Sequence, residues 1–344
     1  MQPLVSIILP CYNAQKYLKY SLDSLINQDY HNLEIICIND GSSDRTLDIL
    51  NQYKNSDQRI VIINNEKNLG LIASLNNALK QVNGKYFARM DADDYSTPDR
   101  ISEQVKFMLL NPDIDIVSTA YNYFQINNQK QQYISPIANK GKSLQFLSLF
   151  CTVLTHASVL GKTSLINTKQ YVYDVNYPYA EDYELFSRLA WNNIKIATIP
   201  DALYWVRLHS DSVSVKYNDI QLITNVKIVE RNLNQYLKLK YSINTSVLAV
   251  LTCRIKCCIT VKDIKQAFYI FDECIALFKE NMNIYELREV ESYLLIHKLN
   301  IIIQVNKFRF NELGFKNIAF LLRTSLFFNC KQIWLLFKKI IRKT

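Results

Sequence analysis

The chain has 344 residues, 49% apolar and 21% charged, with only 6 glycines and 7 prolines. Such a composition supports a packed core and excludes a disordered tail, a collagen-like repeat and a coiled coil. The net charge of +9 is uneven: from Arg231 onward 19 basic residues face 8 acidic ones, against 21 and 23 in the rest. Val5 to Leu9 is a short apolar run stopped by Pro10, the pattern of a buried strand. Leu18, Leu22, Leu25 and Ile26 then recur at helical spacing. Glu34 to Ile38 reads as a second strand ended by Asn39-Asp40-Gly41-Ser42, with Ser43 or Asp44 capping the next helix. Arg59 to Ile63 is a third strand. Leu71, Ile72, Leu75, Ala78, Leu79 and Val82 mark another helix, with Asn83-Gly84 as its C-cap. Tyr86 to Met90 is a fourth strand.

This alternation predicts a parallel sheet with helices on both faces and ligands at the carboxyl ends of its strands. From Asp113 to Arg207 the pattern turns mixed, with short strands at Asp115 to Thr119, Ile194 to Ile199 and Leu203 to Val206. Beyond Asp201 proline is absent and Gly314 is the only glycine, so the remainder reads as helical. Met1 to Leu9 lacks the basic and apolar regions of a secretory signal, and no run of 18 uncharged apolar residues occurs. A cytoplasmic protein is expected. The eight cysteines are scattered, and no CxxC pair with a histidine partner appears. Buried thiols, with no zinc site, are the expectation.

Polar residues collect where the strands end. The first strand delivers Pro10-Cys11-Tyr12-Asn13, the second Asn39-Asp40-Gly41-Ser42-Ser43-Asp44, and the fourth Asp91-Ala92-Asp93-Asp94. Three carboxylates in four positions repel one another. A hard divalent cation would relieve that, through one or two carboxylates plus substrate phosphates. A solvated acidic turn is the plainer alternative.

Taken in order with Asn68-Leu69-Gly70 and Arg89-Met90 before the acidic loop, these segments resemble glycosyltransferase family 2, inverting enzymes of the GT-A fold. Further along, Glu181-Asp182-Tyr183-Glu184-Leu185 looks like that family's ED motif. Arg207-Leu208-His209, followed by Ser212-Val213-Ser214, looks like its late R-x-H element. The resemblance covers Pro3 to Ser214. It implies an α/β, Rossmann-like mixed sheet flanked by helices, as a catalytic domain over 1–215. Its nucleotide-binding half would end near 112 and an acceptor half would cover 113–215; the basic, helix-patterned remainder, 216–344, lies outside the resemblance.

The resemblance also implies roles. Pro10, Tyr12 and Asn13 would line the nucleotide pocket, with Tyr12 stacking on the base. Asp40 would accept from the imide nitrogen of a uracil-type base, and Asp91 would hold the ribose or the ion. Asp93 would bind Mn²⁺ or Mg²⁺ on the diphosphate, with His209 as a further ligand. Asp182 would be the general base. Arg207, His156 and Glu181 would meet the diphosphate or the acceptor. The donor would be a UDP-sugar and the acceptor a glycan or lipid-linked hydroxyl of bacterial surface polysaccharide or lipooligosaccharide synthesis. One departure stands out: where some members carry an arginine, this chain reads Gly70-Leu71-Ile72.

The chemistry can be argued from the residues. Displacing a nucleoside diphosphate loads charge on the leaving group, which a cation offsets, while one carboxylate takes the acceptor proton. A single in-line attack inverts the anomeric centre. At the head of a helix, Asp182 has an N-cap as its plainer role. His156 is an acceptor-loop group or a satisfied core histidine; Arg207 and His209 share one face of an extended segment. His31 and His297 read as surface or helix-face residues, and Arg89 and Arg100 as ion-pairing supports of the acidic loop.

Two other functions compete. A sugar-phosphate nucleotidyltransferase also uses such a sheet and a metal, but would carry a glycine-rich loop where Pro10 to Lys16 has no glycine. An anionic-surface binding protein follows from charge alone; no RNA-binding motif accompanies it, and nucleic acid is not expected as a partner. Near the C-terminus, Ile333, Trp334, Phe337, Ile340 and Ile341 form one helical stripe among Lys331, Lys338, Lys339, Arg342 and Lys343. Such a helix suits peripheral attachment to an anionic membrane at the cytoplasmic face.

Overall fold

A computed structural model describes residues 2–124, 131–133, 141–209, 212, 216–238, 243–252 and 259–309, the side chains of 131–133, 261, 299 and 302–309 excepted. The opening apolar run forms β1 (Val5–Cys11), buried on both faces as a central parallel strand must be. Helix α1 (Leu18–Ile26) turns Leu18, Leu22 and Leu25 into the core. β2 (Leu33–Asp40) and β3 (Ile60–Asn65) run beyond their apolar cores. Their polar ends pair across the ladder, Asn39 Nδ2 donating to Asn64 Oδ1 (2.6 Å) and Asn65 Nδ2 to Asp40 Oδ1 (2.9 Å).

Helix α2 (Thr46–Ser56) is entered from Arg45 rather than capped by Ser43 or Asp44; Asp44 accepts from the Thr46 N–H (3.0 Å). α3 (Leu71–Leu79) stops at Lys80, short of the expected Asn83-Gly84 cap. Gly84 answers a different need. A Cβ there would lie 2.7 Å from the Leu4 carbonyl oxygen, so only glycine lets this turn run beside β1.

β4 (Tyr86–Arg89) and β5 (Tyr95–Ser96) flank the acidic loop, and α4 (Arg100–Leu110) follows. Then come β6 (Ile116–Phe124), β7 (Gln131–Tyr133), α5 (Gly141–Leu147), β8 (Leu160–Lys162), α6 (Ser164–Asn167) and α7 (Glu181–Trp191). The two short strands expected at Ile194 to Ile199 and Leu203 to Val206 are one strand, β9 (Ile196–Arg207). Pro200 and Asp201 lie where the β6–β9 register shifts, an irregularity that tolerates proline's missing N–H.

Among the described residues the sheet is ordered β3-β2-β1-β4-β8-β6-β9-β5, with β7 on β6. β1, β2, β3 and β4 are parallel, and β8 joins β4 antiparallel, which makes the sheet mixed. Strand order reverses at β1, so the loops after β1, β2 and β4 open together at one edge.

The chain divides into two compact units, Met1–Ile228 and Val229–Thr344. The division falls inside α8 (Asn218–Asn232), beyond the border expected at 215. The second unit holds α9 (Thr245–Leu251), α10 (Val261–Phe278) and α11 (Ile284–Arg309). His297, expected at a surface or helix face, is buried instead. Its Nε2 donates to the carbonyl of Leu251, the last residue of α9 (2.9 Å), and burial brings its pKa down to about 4. Cys11, Cys37 and Cys274 are buried free thiols. No described helix is long and apolar enough to cross a membrane. The stripe from Lys331 to Lys343 lies outside the described residues.

Candidate active site

Side-chain bonds zip together the loops after β1 and β2. The Asn13 backbone N–H donates to Ser42 Oγ (3.0 Å), Ala14 N–H to Thr46 Oγ1 (2.8 Å) and Gln15 N–H to Asp44 Oδ2 (3.0 Å). In return Ser43 N–H donates to Asn13 Oδ1 (2.9 Å), and Asn13 takes the left-handed φ of +48° that asparagine tolerates. Pro10 is half-buried, while Tyr12 is 52% exposed. Asp40 is buried, and it organises the third loop. Its carboxylate accepts from the N–H groups of Leu69 (2.8 Å) and Gly70 (3.0 Å) as well as from Asn65. The adjoining Gly41 has φ +64°, and a Cβ there would meet the Lys67 carbonyl carbon at 2.4 Å. The approach of these two loops needs a glycine at that position.

The three carboxylates of the acidic loop find three different partners. Buried Arg89 grips Asp91 at both oxygens, Nη1–Oδ2 at 2.9 Å and Nη2–Oδ1 at 2.7 Å. Buried Asp94 accepts from the Arg207 N–H (2.8 Å) and the Tyr204 hydroxyl (2.8 Å), and that hydroxyl accepts from Asp91 N–H (3.1 Å). Burial, with Asp93 and Asp91 nearby, pushes the Asp94 carboxyl well up. Asp93 keeps 35% of its side chain exposed and meets His209, Nε2 to Oδ2 at 2.8 Å. Its pKa is raised by burial and by Asp91, and His209 opposes the rise. Arg207 fastens this corner: Nε donates to the Asp93 carbonyl (2.6 Å). The guanidinium lies over the rings of Phe124 (4.4 Å), Tyr17 (4.6 Å) and Tyr20 (4.9 Å).

Arg100 corrects an expectation. It is fully buried and donates to the carbonyls of Arg89 (3.1 Å) and Ala157 (3.3 Å) instead of pairing with an acid. Burial pulls its pKa down to about 10.

The donor set can be tested against a divalent ion. Asp93 and His209 supply one hard carboxylate and one imidazole, and His209 Nδ1 is buried with no partner among the described contacts. No described group of three or more His, Cys, Asp or Glu residues is arranged to hold a metal. An ion here would complete its shell with diphosphate and water, the usual habit of Mg²⁺. On those terms the residues fit. Asp91 suits the ion less, since Arg89 engages both of its oxygens.

Helix α7 begins after Ala180, so Asp182 is not its cap. Glu181, Asp182 and Glu184 occupy its first turn, where the helix N-terminus favours negative charge. Glu181 is buried; burial and Asp182 push its pKa up to about 7, while Arg89 pulls it down and Asp91 adds to the rise. The head of α7 therefore stands within electrostatic reach of the end of β4. Asp182 is half-buried. His156 Nε2 lies 2.6 Å from the Tyr173 hydroxyl, with Phe186 edge-on to its ring. Burial and Arg89 hold it well below the usual histidine range, so it is neutral. That is a half-buried histidine whose Nε2 is already hydrogen-bonded.

The raised Glu181 has a consequence for stability. Its folded pKa exceeds the ordinary 4.5, so stability falls as pH rises from about 4.5 through about 7. Glu181→Gln should therefore gain on the wild type by roughly 1–3 kcal/mol more at pH 8 than at pH 5. Urea unfolding at both pH values measures it, and an equal difference at the two would contradict the assignment.

Sequence reasoning passed over Tyr204, Tyr17, Tyr20 and Phe124. Tyr204 lies on β9 between buried Leu203 and half-buried Trp205, with no alternation to mark it. The rings around Arg207 come from two distant segments, Tyr17 and Tyr20 at the start of α1 and Phe124 at the end of β6. Only the clustering of charge at strand ends pointed here.

A model of the family described as Glycosyl transferase family 2 matches residues 6–167. Over 245 residues the chain is 38% identical to an uncharacterized glycosyltransferase of Haemophilus influenzae, covering 68% of this chain and 75% of that one. Over 232 residues it is 32% identical to UDP-Glc:alpha-D-GlcNAc-diphosphoundecaprenol beta-1,3-glucosyltransferase WfaP of Escherichia coli, covering 65% and 85%. Its fold is similar to that of S. aureus TarS 1-349 in complex with UDP-GlcNAc, with TM-score 0.56 and 17% identity over 85% of this chain and 92% of that one. It is also similar to the mannosyltransferase PcManGT from Pyrobaculum calidifontis in complex with GDP-Man and Mn²⁺, with TM-score 0.54 and 14% identity over 91% and 89%.

Proposed function

The chain belongs to glycosyltransferase family 2, and on that premise we propose that it moves a sugar from a UDP-sugar to an acceptor hydroxyl with inversion. The observation that carries this reading is one shared edge: Asp93 and His209 pair just beyond the ends of β4 and β9, and Arg89 links that edge electrostatically to Glu181 at the head of α7. Tyr12 and Asp40, at the ends of β1 and β2, form the base side, with Pro10 and Asn13 behind them. Asp93 and His209 would hold a divalent cation, which offsets the charge gathering on the departing diphosphate. Asp91, gripped by Arg89, meets the ribose. Asp182 accepts the proton of the attacking hydroxyl, and its position in the first turn of α7 aims a carboxylate from a rigid element.

UDP as the nucleotide rests on Asp40 and on the name of the WfaP relative, which specifies UDP-Glc and a diphosphoundecaprenol-linked acceptor. A lipid-linked or glycan acceptor in bacterial surface-polysaccharide synthesis follows from the same comparison. The nucleotidyltransferase alternative lacks its glycine-rich loop: Asn13, Ala14 and Gln15 are spent on Ser42, Thr46 and Asp44.

Base selectivity is a direct check. A uracil imide donates to Asp40 and a cytosine cannot, so UDP should bind more tightly than CDP by about 1.5–3 kcal/mol. Equal calorimetric affinities would remove Asp40 from the base pocket.

Peripheral attachment rests on the sequence from Lys331 to Lys343. Each basic residue near an anionic surface contributes about 1 kcal/mol before screening. The full chain should co-sediment with vesicles containing anionic lipid, lose this binding at high salt, and lose it on truncation after Asn329. Equal binding by the truncated and full chains would show that the stripe packs on the protein itself.

A further inference from the structure

Among the described residues, five besides glycine adopt positive φ: Asn13, Lys169, Tyr179, Asn193 and Lys238. The asparagines tolerate it, and Lys169 and Lys238 sit just past helical segments, where a left-handed residue is ordinary. Tyr179 is different. It carries a bulky aromatic at φ +63°, and it stands just before α7 rather than at a helix end. A residue held in that region persists only when its surroundings determine it.

Three contacts do so here, one of them a hydrogen bond between the Tyr179 and Tyr217 side chains. The Tyr179 ring stacks on Tyr217 with centroids 4.2 Å apart and planes 13° from parallel. Its carbonyl accepts from Gln221 Nε2 on α8 (2.8 Å). The turn so fixed leads through Ala180 directly into the first turn of α7, the one that carries Glu181 and Asp182. The body of α7 has its own anchors. Tyr183 donates to the Leu149 carbonyl (2.7 Å), Leu185, Phe186 and Leu189 are buried, and Arg188 ties Glu184 to the carbonyls of Gln170 and Val172. The clasp is therefore surplus to holding the helix. What it governs is the path of the chain into the helix head.

We infer that Tyr179, Tyr217 and Gln221 form a clasp that positions the Asp182 carboxylate, making them positioning residues for the proton-accepting step. This rests on the reading of Asp182 as the base. Losing the stack lets Tyr179 relax toward extended backbone, which displaces the first turn and the carboxylate on it. The base pocket around Asp40 and the Asp93–His209 pair belong to other elements and stay as they are.

The test measures UDP release from whichever of UDP-Glc, UDP-Gal, UDP-GlcNAc and UDP-GalNAc turns over fastest, alongside calorimetric UDP affinity. Tyr217→Ala should lower kcat at least about tenfold with KM and UDP affinity within about twofold. Tyr217→Phe, which keeps the stacking ring and loses only the hydroxyl contact with Tyr179, should recover most of kcat. At the strained position itself, Tyr179→Asn should retain more activity than Tyr179→Val, because asparagine tolerates the left-handed region and valine does not. That pair keeps the test decisive if Tyr217→Ala fails to fold. In an Asp182→Asn background the Tyr217→Ala loss should largely vanish, as expected when one residue acts through the other. Wild-type kcat in Tyr217→Ala, or parallel loss of kcat and UDP affinity, would overturn the clasp. If Asp182→Asn alone stayed fully active, the base assignment would fail first, so the two failures are distinguishable.

Discussion

Asp182→Asn should lower kcat by at least about 10²-fold while UDP affinity stays within about twofold. The substitution keeps the size and polarity of the side chain but removes its capacity to take a proton. It leaves the fold alone for a structural reason: Ala180, not Asp182, precedes the helix, and α7 is held by Tyr183, Leu185, Phe186 and Arg188. Nearby Glu181 does not replace it readily. It is buried, and burial, the largest cause that raises its carboxyl, persists when the Asp182 charge is gone. Steady-state kinetics paired with UDP calorimetry separates the outcomes. Normal turnover would reduce Asp182 to a favourable charge at a helix N-terminus.

Asp93→Ala should act on the other side of the bond. Loss of one electrostatic contributor in a water-excluded site typically costs about 10²–10³ in rate, and the pairing with His209 goes with it. The predicted signature is specific. The wild type should bind UDP more tightly with Mn²⁺ than in EDTA, and Asp93→Ala should bind it equally in both. The loop itself should survive, because Asp94 rather than Asp93 carries its buried bonds to Tyr204 and Arg207. Full wild-type activity in excess EDTA would contradict the role given to Asp93 and His209.

Much of the fold was legible because β1, β2 and β4 are buried on both faces, and such strands appear as unbroken apolar runs. Their polar extensions were not legible. Asn39 with Asn64 and Asp40 with Asn65 continue the ladder through side-chain pairs that no hydropathy pattern records. Ile194 to Ile199 and Leu203 to Val206 read as two strands, yet a register shift at Pro200 and Asp201 joins them within β9. At the site, the clustering of Asp91, Asp93 and Asp94 was plain, but their division of labour was not. That division depends on Tyr204 and Arg207, which reach the loop from positions 110 to 114 residues away in the chain. Spacing shows which carboxylates lie together, and only long-range packing decides which one stays available to a ligand.

Transfer by a single in-line displacement is tested most directly by the configuration of the sugar first released. The four UDP-sugars, each α-linked, are incubated with the protein and Mn²⁺, and the anomeric proton is followed by NMR before mutarotation. At least one donor should turn over, depend on the metal, and yield the β sugar first. An α sugar appearing first, or no turnover of any donor by folded protein, would contradict inverting transfer from a UDP-sugar.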